Sequence, residues 1–142
     1  MSPSTQYSYR VKTRDDLGNT GSWSTTKSAT TDTLGDPPSV STISATDIGY
    51  NHATLNGNLD SVGDYNNCQV WFVYDTESHS NWNAYDYDTA HEPKSGTGAF
   101  SAGFNDFFSY DAVTIYYRAV ASNTGGTSMG SVSYTHLTLP TN

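Results

Sequence analysis

Cationic side chains are scarce in this chain: Lys and Arg together number 6 among 142 residues, against 14 Asp and Glu, for a formal net charge of −8. Domains that hold a phosphate backbone cluster Lys and Arg on one surface, so nucleic acid is excluded as an expected partner. Cysteine is nearly missing as well. With Cys68 alone, no disulfide closes within the chain and no cysteine zinc spacing exists, so Cys68 is expected to pack as a small apolar side chain. No run approaches the ~18 apolar residues of a membrane-spanning helix, and nothing at the start has the pattern of a signal peptide. There is no Gly-x-Ser-x-Gly elbow and no phosphate-binding glycine loop, and no pattern places two carboxylates for glycoside cleavage. The expected function is therefore non-catalytic, with no catalytic residues. His79 and His91 lack a zinc spacing and His52 falls in a turn; all three read as surface residues.

What the chain does have is tyrosine, 11 in all, with 12 glycines, many Thr and Ser, and a hydrophobic fraction of 35%. These residues favour short strands joined by frequent turns over helix or disorder. The length fits one ordinary domain of ~100 to 150 residues plus a smaller piece.

Tyr7, Tyr9, Val11 and Thr13 alternate with Ser8, Arg10, Lys12 and Arg14, the period of a half-buried strand. A polar, glycine-bearing loop over 15–21 follows, and 23–31 can return as its partner. A two-stranded hairpin is marginal in water, so its Tyr and Val face needs an opposing sheet. Residues 35–39 contain Pro37 and Pro38 and break both periodicities, predicting a short semi-rigid linker. Beyond it, strands are expected over 40–46, 52–60, 68–75, 97–104, 113–122 and from 127 onward, the spacing of an all-β sandwich. Three rows should form its core: Ala53, Leu55, Gly57 and Leu59; Cys68, Val70, Phe72 and Tyr74; Ile115, Tyr117, Ala119 and Ala121.

Met1-Ser2-Pro3-Ser4-Thr5-Gln6-Tyr7 resembles the Leu-x-Pro-x-Thr-x-Tyr corner that precedes strand F of fibronectin type III domains, with Met in the Leu place. The second unit resembles fibronectin type III and immunoglobulin-like repeats of prokaryotic surface or secreted proteins. The matching pieces are Ala53-Thr54-Leu55-Asn56-Gly57-Asn58-Leu59, Val70-Trp71-Phe72-Val73-Tyr74-Asp75, and Tyr117-Arg118-Ala119-Val120-Ala121-Ser122-Asn123 before Gly125-Gly126-Thr127. Tyr9-Arg10-Val11 and Tyr117-Arg118-Ala119 repeat each other about one domain length apart. Aligned on the arginines, Ile115 stands where Tyr7 does, so the tyrosine corner is missing from the second unit.

The resemblance implies an immunoglobulin-like antiparallel β-sandwich over 40–131, preceded over 1–34 by the F–G hairpin of a truncated repeat. In that frame Tyr7, Val11, Leu55, Leu59, Val70, Phe72, Tyr74, Tyr117 and Ala119 are structural. Residues 132–142, with Val132, Tyr134, Thr135, His136, Leu137 and Leu139, resemble one reading frame of a sequencing-library adapter and are expected to be a non-native tail; their composition also suits a last strand.

The segment 77–94 departs from the family pattern and carries the candidate sites. Trp82, Tyr85 and Tyr87, with Asn81 and Asn83 among them, form the densest aromatic and polar stretch, the chemistry on which sugar rings stack and hydrogen-bond. The plainer alternative is an extra edge strand covering the sheet. Asp86 and Asp88, two apart, would point their carboxylates to one side of a strand. With Asp75, Glu77 and Glu92 near in sequence, they could gather oxygens around Ca²⁺.

The resemblance thus implies a structural spacer or adhesion repeat in an extracellular or cell-surface multidomain protein, its partners being neighbouring repeats, a polysaccharide or another cell-surface protein. Two alternatives stay open: a carbohydrate-binding module attached to a secreted glycosidase, and a calcium-rigidified adhesin repeat. No cofactor is expected other than calcium.

Overall fold

The computed structural model describes residues 4–105 and 112–138. Met1, Ser2 and Pro3 of the corner motif and residues 139–142 of the tail lie outside the described residues. The chain divides into two compact units, Met1–Leu34 and Gly35–Asn142.

In the first unit, β1 (Gln6–Tyr9) and β2 (Lys27–Thr30) pair antiparallel from Gln6↔Thr30 to Tyr9↔Lys27. An isolated bridge, Arg14↔Thr20, continues the hairpin toward its loop. There the Asp15 carboxylate accepts from the Leu17 and Asn19 amides at 3.0 and 2.7 Å and from Asn19 Nδ2 at 2.9 Å. Neither strand buries a side chain. Tyr9 and Val11 are 58% and 64% exposed. The strands are shorter than their alternation over 7–14 and 23–31 allows, because no second sheet covers their Tyr and Val face among the described residues.

The second unit holds two antiparallel sheets. In one, β3 (Ser39–Thr46), β4 (Ala53–Ser61) and β8 (Gly98–Phe104) lie in the order β3-β4-β8. In the other, β10 (Gly126–Met129), β9 (Thr114–Asn123), β5 (Cys68–Asp75) and β6 (Tyr87–Asp88) follow in that order. There β7 (Glu92–Lys94) also pairs with β5, and β11 (Ser133–His136) also pairs with β9. One core spans both sheets. Ala53, Leu55 and Leu59 from the first meet Cys68, Val70, Phe72, Ile115, Tyr117, Ala119 and Ala121 from the second. Each fully buried Leu, Ile or Phe here is worth ~1.5 to 3 kcal/mol relative to exposure. Tyr74 is half-buried against this cluster, stacked on Phe104 at 4.9 Å between centroids.

Two stretches do more than the sequence reading gave them. The chain divides at Leu34/Gly35, where the semi-rigid linker was expected to begin, and residues 35–38 are fastened to the second unit. Pro38 is among the fully buried side chains, the Gly35 amide donates to the Tyr65 hydroxyl at 3.3 Å, and the Asp36 amide donates to Asp64 Oδ2 at 2.8 Å. The Asp36 carbonyl receives the Asp64 amide at 3.2 Å and Asn123 Nδ2 at 3.3 Å. A Cβ on Gly63, whose φ is +69°, would sit 2.2 Å from that carbonyl, and one on Gly125 would sit 2.7 Å from it. Glycine is what lets the strap lie this close. Residues 133–136, read as a foreign tail, pair with β9 from Ser133↔Tyr117 to His136↔Thr114. Leu137 beside them enters the core. An alternating Tyr, Thr, Leu pattern with an apolar face finds the open edge of β9 whatever its source.

Candidate functional site

The outer face of the larger sheet is apolar too, which an alternating antiparallel strand does not require. Trp71 lies opposite Val120, and Val73 opposite Arg118, on the side away from the main core. Trp71, Val73 and Val120 form a second cluster with Tyr85, joined by Tyr116 and Met129. The cover is the segment 76–91, which leaves β5, makes one 3₁₀ turn at Trp82–Ala84 and returns as β6.

Asp75, at the end of β5 and 7% exposed, fastens this cover. Its Oδ1 accepts from the Thr76 amide at 2.6 Å, and its Oδ2 accepts from the Asp86 amide at 3.2 Å and stands 3.1 Å from His79 Nε2. Burial pushes the Asp75 pKa up. The amides of Thr76 and Asp86, His79 and the Thr76 hydroxyl outweigh it, and the net is below the ordinary carboxylate value. Tyr85 drops its ring onto the sheet, donates its hydroxyl to the His79 carbonyl at 3.2 Å, and receives Arg118 Nε at 3.2 Å. Arg118 Nη1 in turn donates to the Gly130 carbonyl at 3.0 Å. Farther along, His91 stacks flat on Trp71 at 4.1 Å and 11° and lies 3.2 Å from Asp88 Oδ2, while Trp82 meets Trp71 edge-on at 5.7 Å.

A shallow groove of about 250 Å³ runs between this cover and the sheet, lined by Val73, Trp82, Asn83, Tyr85, Asp86, Tyr87 and Asp88. All five candidate ligand residues from the sequence, Trp82, Tyr85, Tyr87, Asp86 and Asp88, therefore line one groove. Their rings do not form one platform. Tyr85 is buried, and Tyr87 pairs with Tyr74 in the ladder, so its ring turns toward the core side and stacks on Tyr74 at 5.4 Å. Trp82 and Tyr87 remain 38% and 48% exposed, Trp82 resting against Trp71 and Tyr87 on Tyr74, with Asn83, Asp86 and Asp88 exposed beside them.

Asp86 lies beside Asp75 through its backbone amide, and among the described residues neither its carboxylate nor that of Asp88 gathers with a pair of others into a metal site. Asp75 is engaged as described, and among the described residues no group of three or more His, Cys, Asp or Glu side chains could hold a metal ion. A larger groove of about 460 Å³ at the strand ends includes Asn67, Cys68, Gln69 and Asn123. The Asn123 amide is committed there, donating to the Val62 carbonyl at 2.8 Å and accepting from the Gly125 amide at 2.7 Å.

The structural residues fall as follows. Leu55, Leu59, Val70, Phe72, Tyr117 and Ala119 are core, Tyr74 borders it, and Tyr7 and Val11 lie on the exposed hairpin. Trp71, His79, His91 and Arg118, which hold the cover, were not read as site residues: the two histidines were expected on the surface, and Arg118 marked only the repeat. Trp71 had a signal in the unbroken apolar run Val70-Trp71-Phe72-Val73, which fills both faces of a strand.

No family model matches the chain, and no curated protein matches it. Among solved structures, the sensor domain of the anti-sigma factor RsgI4 of Pseudobacteroides cellulosolvens is similar in fold. Its TM-score is 0.55 at 13% identity, over 74% of this chain and 98% of that one. Among the described residues no helix is long and apolar enough to cross a membrane.

Proposed function

We propose that this chain is a non-catalytic part of an extracellular or cell-surface protein built from fibronectin type III-like sandwiches, acting as a spacer or adhesion repeat. One observation carries the reading. A three-stranded sheet β3-β4-β8 faces a sheet whose first strands run β10-β9-β5-β6, the strand order of a fibronectin type III sandwich, and a two-stranded hairpin with an exposed Tyr and Val face precedes it. The fold likeness to a sensor domain is in keeping with a domain that does no chemistry. Function here is geometric: rigid sandwiches set a distance, and the acidic balance keeps them apart in solution.

The groove beside Trp82 favours a second reading, a carbohydrate-binding module. An outward indole with an amide and two carboxylates suits a neutral sugar, and no Lys or Arg among the lining residues would hold an acidic one. Thermal unfolding of the whole chain against a panel of neutral polysaccharides, with and without Ca²⁺, separates the readings. A spacer keeps its melting temperature throughout. A rise with one glycan that is lost in Trp82→Ala would replace the spacer by the binding module, and a rise with Ca²⁺ would replace it by the calcium-rigidified repeat.

A further inference from the structure

Asp36-Pro37 is the one Asp–Pro pair in the sequence. Such a bond is fragile by its own chemistry. The Asp carboxyl can close a five-membered ring on its own backbone carbonyl, and the tertiary amide nitrogen of proline leaves more readily than a secondary one once it takes a proton. In an open chain the reaction is slow, because water alone stabilises the carbonyl oxygen as it becomes negative. What the fold does to that oxygen therefore decides the lifetime of the bond.

The fold aims two N–H donors at it. The Asp64 amide reaches the Asp36 carbonyl at 3.2 Å and Asn123 Nδ2 reaches it at 3.3 Å. Both donors are held from behind. Asp64 Oδ2 accepts from the Asp36 amide at 2.8 Å, so the two residues grip each other by two bonds. Asn123 Oδ1 accepts from the Gly125 and Gly126 amides at 2.7 and 3.1 Å, and its Nδ2 also donates to the Val62 carbonyl at 2.8 Å. These bonds fix which way the Asn123 amide faces. Gly125 lies so close that a Cβ there would come within 2.9 Å of the Asp36 carbonyl carbon. Asp36 itself is exposed, whereas Pro38 is fully buried, so the leaving side of the bond is anchored and the attacking side is open to water. Two preset donors on a carbonyl oxygen are the arrangement that stabilises the anion of a tetrahedral intermediate.

We infer that Asp36–Pro37 is a self-cleavage site, with the Asp64 amide and Asn123 Nδ2 as its oxyanion hole. The Asp36 carboxyl oxygen adds to the Asp36 carbonyl carbon, and the carboxyl proton passes to the Pro37 nitrogen. The C–N bond then breaks, leaving a cyclic anhydride on Asp36 and a secondary amine on Pro37. One water opens the anhydride to two carboxyls, and no other reagent enters. The cut falls beside the division between the two units at Leu34/Gly35 and separates residues 1–36 from the sandwich. It happens once per chain and stands apart from both the spacer and the glycan readings.

The test is intact-mass spectrometry of the full chain in water enriched in heavy oxygen, at about pH 5, above the acid limb of Asp75, with and without unfolding urea. The folded chain is expected to yield fragments 1–36 and 37–142 roughly 10²-fold faster than the unfolded chain, the worth of an oxyanion-hole donor. Heavy oxygen is expected in the Asp36 side-chain carboxyl as well as its α-carboxyl, because water can open either side of the anhydride, whereas a protease labels the α-carboxyl alone. Asp36→Glu, at an exposed position, keeps the charge and both donors but must close a larger ring, and is expected to stay intact with an unchanged melting temperature. Asn123→Ala is expected to fall toward the unfolded rate. Equal rates in the folded and unfolded chain, label confined to the α-carboxyl, or cutting of either variant at the wild-type rate would each overturn the proposal.

Discussion

The Tyr117 hydroxyl, on β9, donates to the Ile43 carbonyl on β3 at 2.9 Å, tying the two sheets together across 74 positions of sequence. Ile115 is fully buried two residues earlier, where the repeat alignment would put a corner tyrosine, so the cross-tie has moved along the strand and across the core. Tyr117→Phe keeps the ring and orphans the carbonyl. It is expected to lower unfolding free energy by ~1 to 3 kcal/mol with an unchanged m-value in urea. Loss below ~0.5 kcal/mol would show that water replaces the bond.

Asp75 makes the cover over Trp71 sensitive to acid. Its folded pKa lies below the ordinary value, so its stabilisation is complete above the unfolded value of ~3.9 and is lost as pH falls through the folded value. Wild type should lose stability on titration below about pH 4. Asp75→Asn should cost ~1 to 3 kcal/mol at pH 7 and show a shallower acid limb. Asp15 and Asp60, also held below the ordinary value, keep part of the slope. An equally steep limb in the variant would remove Asp75 from the account.

Cys68 reports on opening of the sandwich. It is 1% exposed, and burial pushes its thiol pKa up despite a hydrogen bond from the Ser122 backbone, which suppresses the reactive thiolate. Its labelling by a disulfide reagent should be slower than in urea by ~10³-fold or more, the ratio set by a stability of ~5 kcal/mol. Labelling at the unfolded rate would mean that the end of β5 near Gln69 opens locally.

The two units should answer mutation differently. Phe72→Ala, at the centre of the core against Phe100, is expected to cost ~3 to 5 kcal/mol. Val11→Ala, on the exposed hairpin, should stay within ~0.5 kcal/mol. A large effect at Val11 in a calorimetric scan would show that the hairpin face is covered in solution.

The fold was readable where alternation is clean. Leu55 and Leu59 on β4, and Ile115 and Tyr117 on β9, fall at every second position, and β5 runs over 68–75 as the residues indicate. The outer cluster was not readable. Val70-Trp71-Phe72-Val73 has no period, so sequence does not say that Trp71 and Val73 need a cover of their own, nor that Tyr85 supplies it. The groove was half legible: Trp82, Asp86 and Asp88 are near in sequence and remain near in space, but ladder parity alone decides that Tyr87 faces Tyr74 instead of Trp82. Proline was informative only in part at 35–38. Pro37 and Pro38 do stiffen the backbone, yet what holds Pro38 is burial, and what holds Asp36 is Asp64 and Asn123.

That strap has a mechanical meaning. A pull on the chain upstream of Gly35 does not load β3 directly. It first meets the clamp at Asp36, where the Asp64 carboxylate, the Tyr65 hydroxyl and the Asn123 amide share the strain. These, with the one backbone bond from the Asp64 amide to the Asp36 carbonyl, are fewer than the bonds of a ladder, so they part first. Residues 35–37 are then free to straighten, while Pro38, fully buried, still anchors the chain ahead of Ser39. A pull from upstream is thus shared between a polar clamp at the surface and one buried ring, before it reaches the ladder of β3, a graded fastening at the point of suspension.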